Sequence, residues 1–263
     1  MARTALMNVM VQAVLKAGRG LARDFGEVEN LQVSMKGPGD FVSAADRRAD
    51  KTLIAELQKA RPTYALLTEE SGEISGTDGA HRWIVDPLDG TTNFLHGIPF
   101  FAISVALERE GKTVAGIVYN PILNELYTAE RGNGAFLNDR RLRVAGRRTI
   151  ADCILGSSLP RSGLAGMAQE EMTRIGPRTA GVRSLGAAAL DLAWVASGRL
   201  DGFWHHQLEP WDFAAGLLLV REAGGFVTDL AGRDRTLESG AVVAGNDLIR
   251  EQLLGLLTRQ PAG

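Results

Sequence analysis

A chain of 263 residues, 45% hydrophobic and 23% charged, is long enough to bury a large core as one big domain or two closely packed ones. Its 29 Lys plus Arg against 31 Asp plus Glu give a formal charge of -2, which excludes a general basic field for nucleic acid, though not a local patch. Cys153 is the only cysteine, which excludes an intrachain disulfide and a four-thiolate zinc site and favours a reducing, cytoplasmic setting.

The N-terminal segment carries Leu6, Val9, Met10, Ala13, Val14, Ala17 and Leu21 at helical spacing, with Lys16, Arg19 and Arg23 breaking any continuous apolar run. This predicts a helix to about Phe25 rather than a signal peptide, and no later run is long enough to span a bilayer. A Gly-rich loop is expected at Lys36 to Gly39, then a helix after Ser43 that ends before Pro62. Tyr64 to Leu67 and Trp83 to Val85 read as short strands, the second ending at Asp86 because Pro87 follows. Phe101 to Leu107 and Thr113 to Tyr119 read as paired strands around a Glu110-Gly111 turn, extended by Glu125 to Thr128. Further along, a helix is expected from Leu185 or Gly186 and a strand from Leu200 to Trp204. A second helix opens at Pro210 and stops at Gly224-Gly225. Strands at Phe226 to Thr228 and Ala241 to Ala244 and a helix from about Asp247 complete the pattern, which is α/β and layered. A division near residue 150 suggests halves 1–150 and 151–263 within one unit.

The chemistry concentrates in Asp86-Pro87-Leu88-Asp89-Gly90-Thr91-Thr92-Asn93. A strand end delivers two carboxylates beside a turn at Gly90 and a helix start at Thr91. Hard cations take carboxylate and carbonyl oxygens, and phosphate takes the amides of a helix start. Alone, such a loop is more often a turn with surface caps. Its company changes the balance: Glu69-Glu70-Ser71-Gly72 follows a strand, Asp212 lies in the first turn of a helix, and Asp46 falls in another helix.

Together these segments resemble the inositol monophosphatase family. The resemblance is carried by Asp40 to Asp46, Thr68 to Ser71, Trp83 to Phe94 and Trp211 to Gly216, with support from Gly116 to Pro121, Gly134 to Asn138 and Arg183 to Gly186. It spans nearly the whole chain and lies nearest the family's SuhB-type bacterial branch. It implies a five-layer αβαβα sandwich of the inositol monophosphatase and fructose-1,6-bisphosphatase type, usually a homodimer. It further implies a lithium-sensitive phosphatase that uses two or three Mg²⁺ ions. Position by position, Glu69, Asp86, Asp89 and Asp212 match metal carboxylates, with Asp86 bridging two ions and Leu88 adding its carbonyl. Glu69 and a Thr91–Asp46 pair match the groups around the attacking water. Gly90 and Thr91 match phosphate contacts. The substrate set is then Leu88, Asp89, Gly90, Thr91, Gly186, Ala187, Ala188, His205 and Asp212, with Lys36 in a mobile loop near a third metal position. Converging carboxylates repel by ~4 kcal/mol per close pair at an effective dielectric of 20, which cations relieve. Phosphoryl transfer then needs positioning and electrostatics rather than a protein nucleophile, so direct in-line attack by water is expected.

His205 departs from the pattern, since relatives that cleave inositol phosphate usually carry glutamate there, and Ala187 replaces a threonine of some relatives. Myo-inositol 1-phosphate or a similar polyol phosphate is the leading substrate. Histidinol phosphate, fructose 1,6-bisphosphate, NADP and 3′-phosphoadenosine 5′-phosphate are alternatives that His205 motivates, because a cationic imidazole favours a second anionic group. SuhB-like relatives also act on RNA processing and the transcription machinery, and Arg140-Arg141-Leu142-Arg143 and Arg147-Arg148 are basic patches suited to binding, although exposed arginines are ordinarily solvated. No membrane partner is expected. An adjacent transition-metal pair at His205 and His206 is disfavoured by the hard oxygen ligands elsewhere.

Overall fold

A computed structural model describes residues 3–27, 33–37, 40–157, 165–234 and 236–258. Helix α1 (Ala5–Phe25) begins where the Thr4 hydroxyl accepts a hydrogen bond from the Met7 amide at 3.1 Å. Its apolar stripe, including Met10, Val14 and Leu21, is buried. Strands β1 (Val33–Gly37) and β2 (Asp40–Ser43) pair antiparallel, so the backbone of Lys36 lies in a strand rather than in the expected loop. Residues 38 and 39 and the Lys36 side chain lie outside the described residues. Helix α2 (Ala44–Ala60) opens on a capping box between Ser43 and Asp46.

An eight-stranded sheet follows, in the order β10-β9-β8-β7-β6-β5-β3-β4. Its members are β3 (Ala65–Thr68), β4 (Gly72–Ile74), β5 (His81–Asp89), β6 (Ala102–Arg109), β7 (Lys112–Asn120), β8 (Glu125–Glu130), β9 (Gly134–Leu137) and β10 (Arg140–Arg141). The β3–β5 pair is parallel and every other pair antiparallel. Helix α3 (Thr91–Leu95) sits between β5 and β6. A second sheet of five strands has the order β12-β11-β13-β15-β14, with β11 (Ile154–Ser157), β12 (Gly181–Arg183), β13 (Gly202–His205), β14 (Phe226–Thr228) and β15 (Val242–Gly245). The remaining helices are α4 (Ala165–Ile175), α5 (Ala188–Ala196), α6 (Pro210–Glu222), α7 (Thr236–Ser239) and α8 (Asp247–Thr258).

Three buried clusters define the layering. Side chains of α1 and α2 pack on one face of the large sheet around Trp83, Phe101 and Ile117. The apolar α5 and α6 fill the space between the sheets, with Phe213, Leu190 and Phe203 at its centre. Beyond the second sheet, Trp204, Ile175 and Leu253 close a third cluster against α4 and α8. The result is helix, sheet, helix, sheet, helix, as the resemblance implies. An amphipathic α1 shields one outer face, whereas α6 is buried along nearly all of Phe213 to Val220 because it is sandwiched.

Two expectations shift. Pro87 does not end β5; the strand continues to Asp89 through an irregularity in its pairing with β6 between Asp86 and Asp89. Helix α5 starts at Ala188, because Gly186 takes φ +83° and Ala187 stays extended as the N-cap. Cys153 is buried one residue before β11, and its thiol donates to the Thr149 carbonyl.

The α5–α6 crossing is held close by Gly216, where an added Cβ would lie 2.6 Å from the Leu192 Cβ. Alanine improves helix propensity by ~1 kcal/mol over glycine, but overpacking of a tight contact costs about 1–3 kcal/mol. Gly216→Ala is therefore expected to lower stability by up to about 2 kcal/mol in urea unfolding; a stabilised variant would show that the crossing is looser than described.

Candidate active site

Parallel pairing of β3 with β5 brings two chain segments to the same sheet edge. Thr68 lies opposite Val85, and the Glu69 amide donates to the Val85 carbonyl at 3.2 Å, so Glu69 leaves β3 beside Asp86. On the other side of β5, Ser104 of β6 lies opposite Asp86 and its hydroxyl donates to the Trp211 carbonyl at 3.1 Å. That contact seats the start of α6, and with it Asp212, against the same edge.

Backbone amides hold Asp86, Asp89 and Asp212. The Leu88 amide donates to Asp86 Oδ1 at 2.9 Å. The Ala189 amide, in the first turn of α5, donates to Asp89 Oδ2 at 2.7 Å. Because the N-cap Ala187 has no polar side chain, Asp89 serves as the anion at this helix N-terminus. Asp212 accepts from the Glu209 amide at 2.8 Å and so caps its own helix. Gly90 takes φ +92°, and a Cβ there would lie 3.1 Å from the Phe100 carbonyl and from the Ala187 Cβ, so the turn requires glycine on both counts.

The electrostatics are dominated by burial of like charge. Burial pushes the Asp86 carboxyl well above the usual aspartate value, and Glu69, Asp89 and Asp212 add to the rise. Burial does the same at Asp89, reinforced by Asp212 and opposed by the Ala189 amide. Four carboxylates are thus within electrostatic reach of one another with no cationic side chain among the groups acting on these two. Among the described residues, no three acidic, histidine or cysteine side chains already enclose a single point as a finished cage. An excess of buried carboxylate oxygen, with the Leu88 carbonyl in the same segment, is the donor chemistry of a hard divalent cation.

Beside this set lies a relay. Thr91 Oγ1 stands 3.0 Å from Asp46 Oδ1 and 3.1 Å from the Leu88 carbonyl, while Asp46 Oδ2 accepts from the Ser43 amide at 2.8 Å and from the Ser43 hydroxyl. A hydroxyl has one proton, and an ionised Asp46 is the stronger acceptor, which leaves the Thr91 lone pairs facing outward. Burial raises the Asp46 carboxyl, with the Ser43 and Thr91 bonds pulling the other way. Asp46 is therefore not the exposed helix charge that its position alone suggests.

Asn93 was not singled out in the sequence. Its side-chain amide donates to both the Phe100 and Leu185 carbonyls at 2.7 Å, which ties α3 to the segment carrying Gly186, Ala187 and Ala188. Its place directly after the acidic loop was the available signal. His205 ends β13 buried, and its Nδ1 accepts from the Gln207 amide at 3.1 Å, so the proton of the neutral ring sits on Nε2. His206 instead meets Glu171 at 2.8 Å, and Trp204 donates to the same carboxylate at 3.0 Å. The two imidazoles thus engage different partners rather than forming a pair.

This arrangement of sheet edge, acidic loop and helix start is that of a phosphatase. The chain belongs to the inositol monophosphatase family, whose model matches residues 3–261. It is 62% identical over 256 residues to an inositol-1-monophosphatase of Mesorhizobium japonicum, covering 97% of this chain and 96% of that protein. It is 43% identical over 252 residues to the Nus factor SuhB of Escherichia coli, covering 95% and 94%. A crystal structure of the extragenic suppressor protein SuhB from Bartonella henselae superposes with a TM-score of 0.96 at 57% identity, covering 97% of this chain and 99% of that one.

The raised values of Asp86 and Asp89 have a signed consequence. The native state retains protons that the unfolded chain loses near the ordinary aspartate value of 3.8. The stability these groups contribute is therefore full below that pH and is lost as pH rises through their raised values. Without divalent cations, Asp89→Asn is expected to melt above the unaltered chain by a margin that widens from about pH 4 to pH 7. Calorimetry in chelator checks this; a margin that is constant or negative across the range contradicts it.

Proposed function

We propose that this phosphatase is a Mg²⁺-dependent phosphomonoesterase that hydrolyses myo-inositol 1-phosphate or a similar small polyol phosphate by in-line attack of water. The observation that carries the reading is the burial of Asp86 and Asp89 within electrostatic reach of Glu69 and Asp212, beside the Gly90–Thr91 helix start. Glu69, Asp86, Asp89, Asp212 and the Leu88 carbonyl would hold two or three Mg²⁺ ions, which when bound neutralise phosphoryl charge and acidify water.

The chain's own groups then do three things. The amides at Gly90 and Thr91 take the phosphate, as a helix start does. Thr91 Oγ1, its proton committed to Asp46 Oδ1, accepts a hydrogen bond from the attacking water, and Glu69 flanks the same position; the water's proton passes by way of Thr91 to Asp46. Gly186, Ala187 and Ala188 form a smooth wall for the substrate's ring. His205 presents Nε2–H, a donor, so the substrate offers it an acceptor oxygen. A ring hydroxyl satisfies this, and so does a second phosphate or a carboxylate. That is the ground for the alternatives: histidinol phosphate, fructose 1,6-bisphosphate, NADP or 3′-phosphoadenosine 5′-phosphate.

We infer a cytoplasmic homodimer as the working form; among the described residues no helix is long and apolar enough to cross a membrane. A regulatory role with RNA or the transcription machinery is a second reading, supported by the Nus factor name of the Escherichia coli relative and by the exposure of Arg140, Arg141, Arg143 and Arg148.

Phosphate release from a metabolite panel tests the reading. Turnover is expected only with Mg²⁺, to fall in millimolar lithium, and to drop by at least ~10²-fold in Asp89→Asn and Asp212→Asn. Metal-independent turnover, or full activity in either variant, overturns the proposal; better turnover of a bisphosphate reassigns the substrate. Survival of a cellular phenotype in Asp89→Asn would favour the regulatory role.

A further inference from the structure

Helix α2 carries a second buried carboxylate that the mechanism above leaves unused. Asp50 lies four residues after Asp46, hence on the same face and about 6 Å further along the axis. Asp46 and Asp50 are only 1% and 2% exposed. Asp46 reaches Thr91; Asp50 Oδ2 accepts a hydrogen bond from the Ser71 hydroxyl, while its Oδ1 is buried without a partner. Ser71 stands two residues beyond Glu69. The Ser71 amide also donates to Thr68 Oγ1 at 2.9 Å, and Thr68 is fully buried. The chain turns at Gly72, with φ +72°, and returns as β4.

The Glu69-Glu70 turn is therefore fixed at three points: the Glu69 amide on Val85, the Ser71 amide on Thr68, and the Ser71 hydroxyl on Asp50. The first two are contacts with the large sheet. The third ties the turn to α2, the element that also holds Thr91. One rigid helix thus sets the separation between Thr91 and Glu69, the two groups placed on either side of the attacking water. A buried carboxylate whose one oxygen is unpartnered is expensive to keep, so the surviving bond to exposed Ser71 calls for a role beyond packing.

We propose that Asp50 and Ser71 are a positioning pair for the phosphatase reaction, with α2 acting as a two-point brace that fixes Glu69 relative to the Thr91–Asp46 relay. The inference rests on the functional reading above. Neither residue touches the substrate; both act through Glu69.

The test is steady-state kinetics with Mg²⁺ on Ser71→Ala, Asp50→Asn, the double variant and Ser71→Thr. A displacement of about 1 Å at a reacting group lowers rate by up to ~10²-fold, so kcat is expected to fall about tenfold in each single variant. KM should stay within about twofold, because the phosphate contacts at Gly90 and Thr91 are untouched. The double variant should be no slower than the worse single, and Ser71→Thr, which keeps the hydroxyl, should regain most of kcat. Thr52→Ala, a half-buried site on the same helix whose hydroxyl donates to the Arg48 carbonyl, serves as the control for general loosening of α2. Full kcat in both single variants overturns the pairing. So does a loss that is additive, unrescued by threonine and proportional to a drop in melting temperature, since that marks a structural contact alone. Absence of Mg²⁺-dependent phosphate release by the unaltered chain would instead overturn the functional reading and take this inference with it.

Discussion

Negative charge buried at the edge of a β-sheet is the constraint around which the rest of the molecule is arranged. Asp86 and Asp89 sit three residues apart at the end of β5, shielded from water, with Glu69 and Asp212 close enough to raise their proton affinity further. Like charges in a medium of reduced dielectric repel by several kcal/mol, so the arrangement persists only if the surrounding fold is stable enough to bear it. Three apolar clusters, two sheets and a tightly crossed helix pair supply that stability at a distance from the loop. A stored repulsion of this kind is what makes a site avid for cations.

Backbone amides give Asp86, Asp89 and Asp212 a definite orientation. Such a contact is strong enough to hold a carboxylate and weak enough to surrender one oxygen. A ligand of high positive charge then gains more from gathering the oxygens than the amides lose. Two helix starts lie here: α5 holds Asp89 through Ala189, and α3 opens at Gly90 and Thr91 directly after it. Asn93, within α3, couples the two, since its side-chain amide donates to the Leu185 carbonyl just before Gly186 and to the Phe100 carbonyl.

Much of this was legible in the chain. The 3.6-residue pattern placed α1, the Ser43 cap and Pro210 placed the starts of α2 and α6, and the Asp86 to Asn93 motif located the site. What escaped has physical causes. A strand was expected to stop at Pro87, but proline removes only a donor, and an irregularity in the ladder let β5 run on to Asp89. The region between Cys153 and Arg183 gave no clear reading. Its strands β11 and β12 are short, and β12 is only half-buried, so neither shows a strong alternation. The family resemblance was what paired Asp46 with Thr91; position alone made Asp46 an ordinary helix charge, because burial is a tertiary property. The same holds for Asp50 and Ser71, whose partnership depends on the parallel registration of β3 with β5. The substrate side was least legible: His205 marks a departure in hydrogen-bond polarity, and its effect depends on which nitrogen carries the proton, set here by the Gln207 amide.

The central claim is that oxygens brought from β3, β5 and α6 share divalent cations. Diffraction from crystals of the full chain equilibrated with Mn²⁺, recorded at its absorption edge, tests it most directly. The account requires anomalous peaks within coordination distance of Asp86, flanked by Asp89, Glu69 and Asp212. A saturated protein with no peak at that sheet edge would contradict it.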